Sequence, residues 1–556
     1  MSRIVGIDLG TSTSEISCII DGKPVIIPNA LGKLITPSVV YIEENGGTLV
    51  GEPAAEYLFT QPDNTFMEVK RMTGRDELLF AHGKGYSPEE LQSRLLRYLV
   101  GCAEAYLGEQ IDRAVITVPA YFTDAQRRAT ARAGELAGLK VERILNEPTA
   151  AALDYGLQNL NECKNILVYD LGGGTLDVTV LELFEGVIDV KASSGNNQLG
   201  GKDFDEILMR NIADPGKDER ARMRLKNTAE RCKIALSEVE TYEVILPFLL
   251  KDKKGNPISI EKTVTRANFE TWVKDIVEST VTPMMTALAD AKLTPADLDL
   301  VLLVGGSTRI PCVKKLVADH LSVIPQTLLD PDLTVARGAA IQAGILEGSI
   351  EDTELVLTDV CPYTLGIAAM NEGFFEDRII FDPIIRRNTT IPTEKSKIYM
   401  PYADYQTTVS IDVYQGDSID PENNEQLGTV ELTGIPPAKR GKEPLEVFFS
   451  YDMNGILQVK ASVVSTGRAV SAEISTTGIA AKPILDLQKW ESASGAKRQR
   501  PIIRKAEKRI EMGEDDTGEY ELLIRQMKEA LLLGQDEKVD QIHDSLLELM
   551  EYENER

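Results

Sequence analysis

Apolar runs that end in glycine-rich turns form the clearest hydrophobic pattern of the chain. Residues 166–169 are apolar, residues 170–177 read Asp-Leu-Gly-Gly-Gly-Thr-Leu-Asp, and β-branched residues follow at 178–180. This order predicts a strand, a tight turn and a second strand. Three glycines let backbone N–H groups approach an anion, so the turn predicts a phosphate-binding loop. A carboxylate at each end, Asp170 and Asp177, can position hydrated Mg²⁺ and water.

The same pattern occurs near the start of the chain. Residues 4–9 form an apolar run that contains Asp8, a Gly-Thr-Ser turn follows, and residues 16–20 return as a strand. Asp8 and Asp170 lie 162 positions apart (170 − 8), which predicts a duplicated fold with facing phosphate turns. A third strand, 300–304, runs into Gly305-Gly306 and a helix. Each turn alone fits an ordinary glycine turn, but the three together favour a phosphate site. The glycine-rich motif is not a Walker A loop, because Gly-Lys-Ser/Thr does not follow the glycines.

The elements between these turns have helical and strand periodicity in alternation. Residues 87–108 repeat leucine at helical spacing, and residues 114–118 form a buried-type strand that Pro119 ends. Thr123 or Asp124 is placed to cap a helix that runs to about residue 137. Residues 360–480 instead alternate apolar and polar side chains, as in 408–414 and 455–461. The pattern therefore predicts an α/β first part and antiparallel sheets after it.

The last part of the chain, 481–556, is predicted to be helical. Its apolar face is formed by seven residues: Leu522, Leu523, Met527, Leu531, Leu546, Leu549 and Met550. A basic run at 497–509 fits either a partner site or a solvated helix face.

Bulk composition limits the classes of function. With 556 residues the chain is long enough for several domains, and its formal charge of −27 disfavours nucleic acid and anionic membranes as partners. The start lacks the pattern of a signal peptide, and no apolar run reaches the length of a membrane span. Six scattered cysteines fit reduced thiols in the cytoplasm. The three histidines are far apart, so a Ser-His-Asp device is unsupported.

Several polar residues are candidates for chemistry, each with a simpler alternative. Lys70 can direct a fixed positive charge at an attacking water, although a solvated surface lysine is the commoner case. Glu147 precedes Pro148 at a predicted helix start, where it can enter the site or simply cap the helix. Glu230, Lys233 and Ser237 share one helix face, which also fits an amphipathic surface.

Five motifs together resemble the DnaK family of heat-shock chaperones. They are Asp-Leu-Gly-Thr at 8–11, Val-Pro-Ala-Tyr-Phe-Thr-Asp-Ala-Gln-Arg at 118–127, Asn-Glu-Pro-Thr-Ala-Ala-Ala at 146–152, Asp-Leu-Gly-Gly-Gly-Thr at 170–175 and Val-Gly-Gly-Ser-Thr-Arg at 304–309. The resemblance covers roughly residues 1–480 and is greatest to the short HscC-type branch.

The resemblance implies a multidomain protein. It implies an α/β actin/hexokinase-like two-lobed ATPase domain at 1–350 and an interdomain linker at 351–359. A β-sandwich substrate-binding domain at 360–480 and a short helical lid-like region at 481–556 would follow.

The resemblance also implies roles for residues of the ATPase domain. The implied catalytic residues are Lys70, Glu147, Asp170 and Thr175, and the implied metal residues, acting through water, are Asp8 and Asp170. The implied nucleotide-binding residues are Gly10, Thr11, Ser12, Gly172, Gly173, Gly174, Gly200, Gly201, Glu230, Lys233, Ser237, Gly305, Gly306, Ser307, Arg309 and Asp332. Ser12 stands where the family usually has Thr, and Lys202 replaces a usual Glu, which puts local lobe contacts in doubt.

Peptide binding and coupling are implied in the same way. The implied peptide cleft is lined by Ile367, Met370, Tyr399, Tyr402, Val409 and Ile411, with Met370 and Tyr402 as the arch. Without the resemblance, ordinary core is the commoner role of such apolar positions. The implied coupling residues are Pro119, Arg127, Arg143, Leu355, Leu357 and Asp359.

The function expected from the sequence is ATP-regulated chaperoning of extended apolar peptides. The cofactors implied are ATP/ADP and Mg²⁺, with K⁺ as a further candidate, and the partners are unfolded client peptides and a J-domain co-chaperone. The need for an exchange factor is left open, because segments 71–87 and 205–230 are shorter than in DnaK. The rivals are a sugar kinase of the same superfamily and an actin-like filament protein, and both are disfavoured by the β-rich region after the linker.

Overall fold

The structure is a computed structural model that describes residues 3–159, 162–216, 218–251, 256–327, 330–350, 356–371, 378–473, 487–512 and 517–555. The chain divides into two compact units. The first comprises the residues up to Pro362 with the short segments Thr390–Pro392 and Asp452–Ile456. The second comprises Tyr363–Thr389, Thr393–Tyr451 and Leu457–Arg556.

Strands and helices alternate through the first unit. Those before residue 160 are β1 (Ile4–Leu9), β2 (Thr13–Ile20), β3 (Lys23–Ile27), β4 (Thr36–Pro37), β5 (Val39–Ile42), β6 (Thr48–Val50), α1 (Glu52–Ala55), β7 (Thr65–Met67), β8 (Leu79–Ala81), β9 (Lys84–Tyr86), α2 (Pro88–Leu107), β10 (Arg113–Val118), α3 (Asp124–Leu136), β11 (Lys140–Asn146) and α4 (Glu147–Gln158). Those after it are β12 (Cys163–Leu171), β13 (Leu176–Phe184), β14 (Val187–Asn196), α5 (Gly201–Ile212), α6 (Glu219–Glu238), β15 (Thr241–Lys251), β16 (Pro257–Thr265), α7 (Arg266–Glu278), α8 (Val281–Asp290), β17 (Leu300–Val304), α9 (Pro311–Leu321), β18 (Gln326–Thr327), α10 (Thr334–Glu347) and β19 (Val356–Val360).

The elements that follow β19 belong to the second unit, with one exception. They are β20 (Leu365–Asn371), β21 (Arg378–Ile385), β22 (Thr390–Ile391), β23 (Thr393–Tyr399), β24 (Thr408–Gln415), β25 (Glu425–Thr433), β26 (Leu445–Tyr451), β27 (Leu457–Val463), β28 (Ala469–Glu473), α11 (Ala496–Met512), α12 (Thr517–Leu533) and α13 (Asp536–Glu555). Of these, β22 belongs to the first unit.

Two sheets of the first unit repeat one topology. The first has the order β11-β10-β1-β2-β3, and the second contains β18-β17-β12-β13-β14 followed by β19 and β22. In each, a hairpin of consecutive antiparallel strands is extended by parallel strands on its other side. The predicted duplication is therefore present in the strand order.

Helices α4 and α10 pack against each other and against the sheets. Small residues permit this close approach: a Cβ at Gly6 would overlap the backbone of Ala339 and Ala340, and one at Gly338 would overlap the backbone of Ala150. The helix predicted at 87–108 is α2, which Ser87 and Glu90 cap reciprocally and Gly108 ends at φ 72°.

The second unit contains two antiparallel four-stranded sheets, β21-β20-β24-β25 and β23-β26-β27-β28. Side chains of β26 alternate between buried and half-buried, as its sequence predicts. The helices α11, α12 and α13 enclose a core that includes Trp490 and Ile503. All seven residues of the predicted apolar face are buried there or at its edge.

Candidate functional site

Two hairpins place four carboxyl groups in equivalent positions. The register of β1 and β2 sets Asp8 opposite Glu15, and that of β12 and β13 sets Asp170 opposite Asp177. Directly opposite residues of an antiparallel pair lie on one face of the sheet, so each hairpin presents a pair of carboxyl groups. Glu15, Asp170 and Asp177 are buried, and Asp8 is half-buried.

The turns of the two hairpins lie against each other, as the sequence predicts for facing phosphate turns. A Cβ at Gly173 would overlap Ser12 Oγ, and one at Gly174 would lie 3.0 Å from Thr11 Oγ1. A Cβ at Gly200 would lie 2.5 Å from the backbone nitrogen of Gly174. Glycine is therefore required where the turns approach each other.

The third glycine element reaches the same place. Gly305 has φ 80°, and a Cβ there would lie 2.7 Å from Asp170 Oδ1. Ser307 Oγ donates to Gly172 O over 2.9 Å. Gly306 is close to Asp332, whose carboxylate accepts from Arg309 Nη2 at 2.7 Å. The structure thus brings the predicted glycines of all three turns together.

Lys70 and Glu147 form a buried ion pair. Lys70 lies in a 3-10 turn, Val69–Met72, and its Nζ is 2.5 Å from Glu147 Oε1. Lys70 is 6% exposed and Glu147 is 8% exposed, so the alternative of a solvated surface lysine is wrong. Glu147 is the first residue of α4, and its carboxylate is paired with a cation instead of only capping the helix.

The carboxyl groups around this pair have perturbed pKa values. Burial, and then the charge of Glu147, raise the pKa of Asp8 to about 7 and that of Asp177 to about 7. The same two causes raise the pKa of Asp170 well above its usual range. The Lys70 ammonium opposes each of these shifts. Excess negative charge is therefore concentrated beside the turns, where a cation would stabilise it.

The carboxyl oxygens of this site suit a hard cation that is held through water molecules. Asp8 Oδ1 accepts from Thr117 Oγ1 at 2.7 Å, and Asp177 Oδ1 accepts from the Tyr121 N–H at 2.8 Å. Asp177 Oδ2 is buried with no hydrogen-bond partner among the described residues. Carboxylates of this kind suit Mg²⁺, which keeps much of its water shell. In the described part of the chain, no group of three His, Cys, Asp or Glu side chains lies close enough to hold a metal ion directly.

Glu230 and Lys233, predicted to hold adenosine, lie in a buried ion cluster. Lys202 Nζ is 2.7 Å from Glu230 Oε1, and Lys233 Nζ is 2.7 Å from Asp205 Oδ1. Burial lowers the pKa of Lys202, but the charges of Glu230, Asp205 and Glu68 outweigh it and raise that pKa. Lys202 is 5% exposed, so its replacement of a family glutamate is accommodated by ion pairing. The third predicted residue, Ser237, donates to Lys233 O at 3.3 Å.

The strand β19 carries the described part of the predicted linker. Residues 356–358 pair in parallel with 187–189 of β14, and Leu357 is half-buried against the core beneath it. Leu355 lies outside the described residues. Strand β19 lies inside the sheet instead of at its edge, because β22 pairs with its other side.

Asp359 connects this strand to the start of α4. Its Oδ2 accepts from Asn146 Nδ2 at 2.9 Å and from Thr149 Oγ1 at 3.2 Å. Arg127 Nη2 donates to Asn146 Oδ1 at 2.7 Å. Asp359 therefore contacts the residues on either side of Glu147-Pro148, whose Glu147 carboxylate holds Lys70.

The other predicted coupling residues surround this contact. Arg127 Nη2 also donates to Ala120 O, next to Pro119, over 2.9 Å. Arg143 Nη1 donates to Gln342 Oε1 at 3.0 Å and is buried. Sequence reasoning missed Asn146 and Thr149 as contacts of the linker, because only the strand pairing brings Asp359 to them.

Comparison with protein families decides the relationship of the chain. A family model described as Hsp70 protein matches residues 4–82 and 76–555. The chain belongs to the Hsp70 family. Members of this family are chaperones that bind ATP and hydrolyse it, so the sugar-kinase alternative is not favoured. None of the described helices of this Hsp70 protein is both long and apolar enough to cross a membrane.

Five of the six residues predicted to form the Hsp70 peptide cleft lie on strands of the second unit, and Tyr402 lies between β23 and β24. Ile367 and Ile411 are 4% exposed, which also fits ordinary core. Met370 and Tyr402, the predicted arch, are 38% and 43% exposed. The Arg440 guanidinium lies over the Tyr402 ring at 4.4 Å. Two further residues are half-buried, Val409 and Tyr399.

Proposed function

We propose that this Hsp70 protein hydrolyses ATP at the paired hairpins and couples that reaction to the binding of extended apolar peptides in its second unit. The observation that carries the proposal is the buried Lys70–Glu147 pair beside the facing glycine turns. A fixed ammonium and carboxylate at that position suit the placement of a water molecule for attack on a phosphate.

The chain's own residues divide the work of hydrolysis. Backbone N–H groups of residues 11, 12, 173 and 174 would hold the phosphate oxygens, because those of Gly10 and Gly172 donate to Ser14 Oγ and Thr175 O. Lys70 and Glu147 would orient the attacking water, with the Thr175 hydroxyl beside it. Asp8 and Asp170 would hold Mg²⁺ through water, and the bound ion would neutralise charge on the phosphate oxygens.

Adenosine would lie beyond the phosphates, between the α5–α6 ion cluster and the Arg309–Asp332 pair. Gly201 joins these regions, because a Cβ there would lie 2.5 Å from Ser307 Oγ and 3.1 Å from Lys233 Nζ. A role of Lys233 in holding adenosine is supported by its hydrogen bond to Gly201 O, and Ser237 donates to Lys233 O in the same helix.

Coupling would run through Asp359. When the linker is paired with β14, Asp359 holds Asn146 and Thr149 at the start of α4 and so fixes Glu147 against Lys70. Release of the linker would free that helix start. ATP would favour an open peptide site, hydrolysis would favour tight capture, and a J-domain partner contacting Arg143 would stimulate hydrolysis. We place this activity in the cytoplasm.

The deciding experiment measures phosphate release from ATP with and without a Leu-rich extended peptide, and phosphosugar formation with a panel of hexoses. We expect peptide to stimulate phosphate release and hexoses to have no effect. ATP consumption that depends on a sugar and yields phosphosugar would reverse the assignment to a peptide-coupled ATPase.

A further inference from the structure

Because the hairpins are duplicated, Asp177 has a counterpart in the first hairpin. That counterpart lies outside the sequence motifs. Glu15 and Asp177 lie the same 162 positions apart as Asp8 and Asp170. Each lies directly opposite the aspartate of its own hairpin, across a turn of equal length. The first hairpin therefore ends in a carboxyl pair, Asp8 and Glu15, that matches the pair Asp170 and Asp177 of the second.

Glu15 is buried, and one oxygen of its carboxyl group accepts no hydrogen bond from the described residues. It is 2% exposed, and its Oε1 has no hydrogen-bond partner in the described part of the chain. Asp177 has the same property at Oδ2. A buried carboxyl oxygen without a donor is costly, and a native fold retains one where another group supplies positive charge or a hydrogen bond.

The Glu15 side chain lies on the same face of the sheet as the Asp8 side chain, directly opposite it in the hairpin. Burial, and then the charge of Asp8, raise its pKa well above the usual range, while a hydrogen bond from Thr13 and the Lys70 ammonium oppose the shift. Asp332, which pairs with Arg309, also raises this pKa.

We propose that Glu15 is a positioning residue for the cation of the nucleotide site, accepting a hydrogen bond from a water molecule of hydrated Mg²⁺ that Asp8 also holds. The proposal rests on the proposed ATPase function. Carboxyl groups that orient the first ligands of a metal ion commonly control its affinity by 10-fold to 100-fold. Each hairpin would then contribute one carboxyl pair to the cation site.

The test measures Mg²⁺ affinity directly in the full chain saturated with ADP, by calorimetry and by displacement of Mn²⁺ followed by electron paramagnetic resonance. We expect Glu15→Gln to weaken Mg²⁺ binding by about 10-fold or more. We expect Glu15→Asp to retain part of the affinity for Mg²⁺. ADP binding in EDTA should be unchanged, because no cation is then present for Glu15 to position. The matched control is Glu425→Gln, a buried glutamate of the second unit.

Unchanged Mg²⁺ affinity in a folded Glu15→Gln variant would overturn the proposal and make Glu15 a packing residue. If Glu15→Gln does not fold, Glu15→Asp decides, because a shortened carboxyl group moves Mg²⁺ affinity only if Glu15 acts on the ion. Failure of the wild-type chain to bind ADP with Mg²⁺ would instead overturn the proposed function.

Discussion

Lys70 illustrates how burial changes the chemistry of a side chain. Its ammonium is enclosed by Glu147 and lies 5.6 Å from the centre of the Phe122 ring. We predict that Lys70→Ala leaves ATP binding nearly intact and slows single-turnover hydrolysis by about two orders of magnitude or more, because an electrostatic stabiliser is lost. Rapid-quench measurement of phosphate release checks this. The control is Lys84→Ala, which removes an exposed ammonium. Wild-type turnover in Lys70→Ala would exclude Lys70 from the mechanism.

Val409 tests the position of the peptide cleft. It is half-buried on β24, opposite Leu432 of β25. Phenylalanine there should fill the pocket, so that extended apolar peptides bind much more weakly while basal ATPase activity survives. Fluorescence anisotropy with a Leu-rich peptide measures the affinity. Val464→Phe adds the same bulk at a site that is 51% exposed and should have no effect. If Val409→Phe binds peptide as the wild type does, the cleft lies elsewhere.

Residues whose roles depend on local sequence were predictable. The positions of Asp8, Asp170 and the glycines of the turns are set by the conformation of a few consecutive residues, which the motif itself specifies. Glu15 and Thr117 were not recognised, because their contacts with the site come from pairing between separate strands. Lys70 was recognised by resemblance, since nothing in its neighbours indicates that Glu147, 77 positions away, will bury it.

At the scale of elements, the start of α4 joins β19 to the Lys70–Glu147 ion pair. Asp359→Ala removes the acceptor for Asn146 and Thr149 but leaves the glycine turns unchanged. We predict that ATP binding is retained and that stimulation of ATPase activity by peptide falls by about 5-fold or more, the range of an ordinary coupling energy. Steady-state ATPase assays with and without peptide measure this. Thr358→Ala, which loses only a contact with Asp189, is the control. Full stimulation in Asp359→Ala would contradict the route through α4.

The ion cluster of α5 and α6 shows a second consequence of element packing. Lys202 is buried beside Glu230, so its removal takes the close cation from that carboxylate, while Asp205 keeps Lys233 and Glu68 keeps Lys226. We predict that Lys202→Met lowers the free energy of unfolding of the first unit by about 1–3 kcal/mol, because a charge-assisted hydrogen bond is lost. Urea unfolding followed by circular dichroism, with and without ADP, measures it. Lys274→Met breaks an exposed pair with Glu278 and should change stability by less than about 0.5 kcal/mol. Equal stability of the two variants would contradict this account of Lys202.

For the whole molecule, the repeat of the phosphate turn predicts more of the architecture than any single element. Strand order in the two halves of the first unit follows the same plan, as the spacing of Asp8 and Asp170 indicates. The place of β19 could not be derived from its residues, because a short apolar segment flanked by acids fits an edge strand equally well. Pairing with β14 and β22 is decided by residues that are distant in sequence.

The linker strand also carries the last prediction, which concerns coupling between ATP and peptide. Val356 and Leu357 are adjacent on β19, yet Val356 is 54% exposed and Leu357 packs against the core beneath the sheet. Full burial of a leucine is worth about 1.5–3 kcal/mol, so its contact can shift a two-state equilibrium of the linker severalfold or more. Aspartate at 357 would remove this gain and bury a charge. We therefore expect Leu357→Asp to keep ATP and peptide binding but to lose the acceleration of peptide release by ATP.

Val356→Asp, with its side chain in solvent, should behave as the wild type does. Stopped-flow dissociation of a fluorescent peptide, with and without ATP, compares the three proteins. Equal acceleration in all of them would mean that the linker is only a tether.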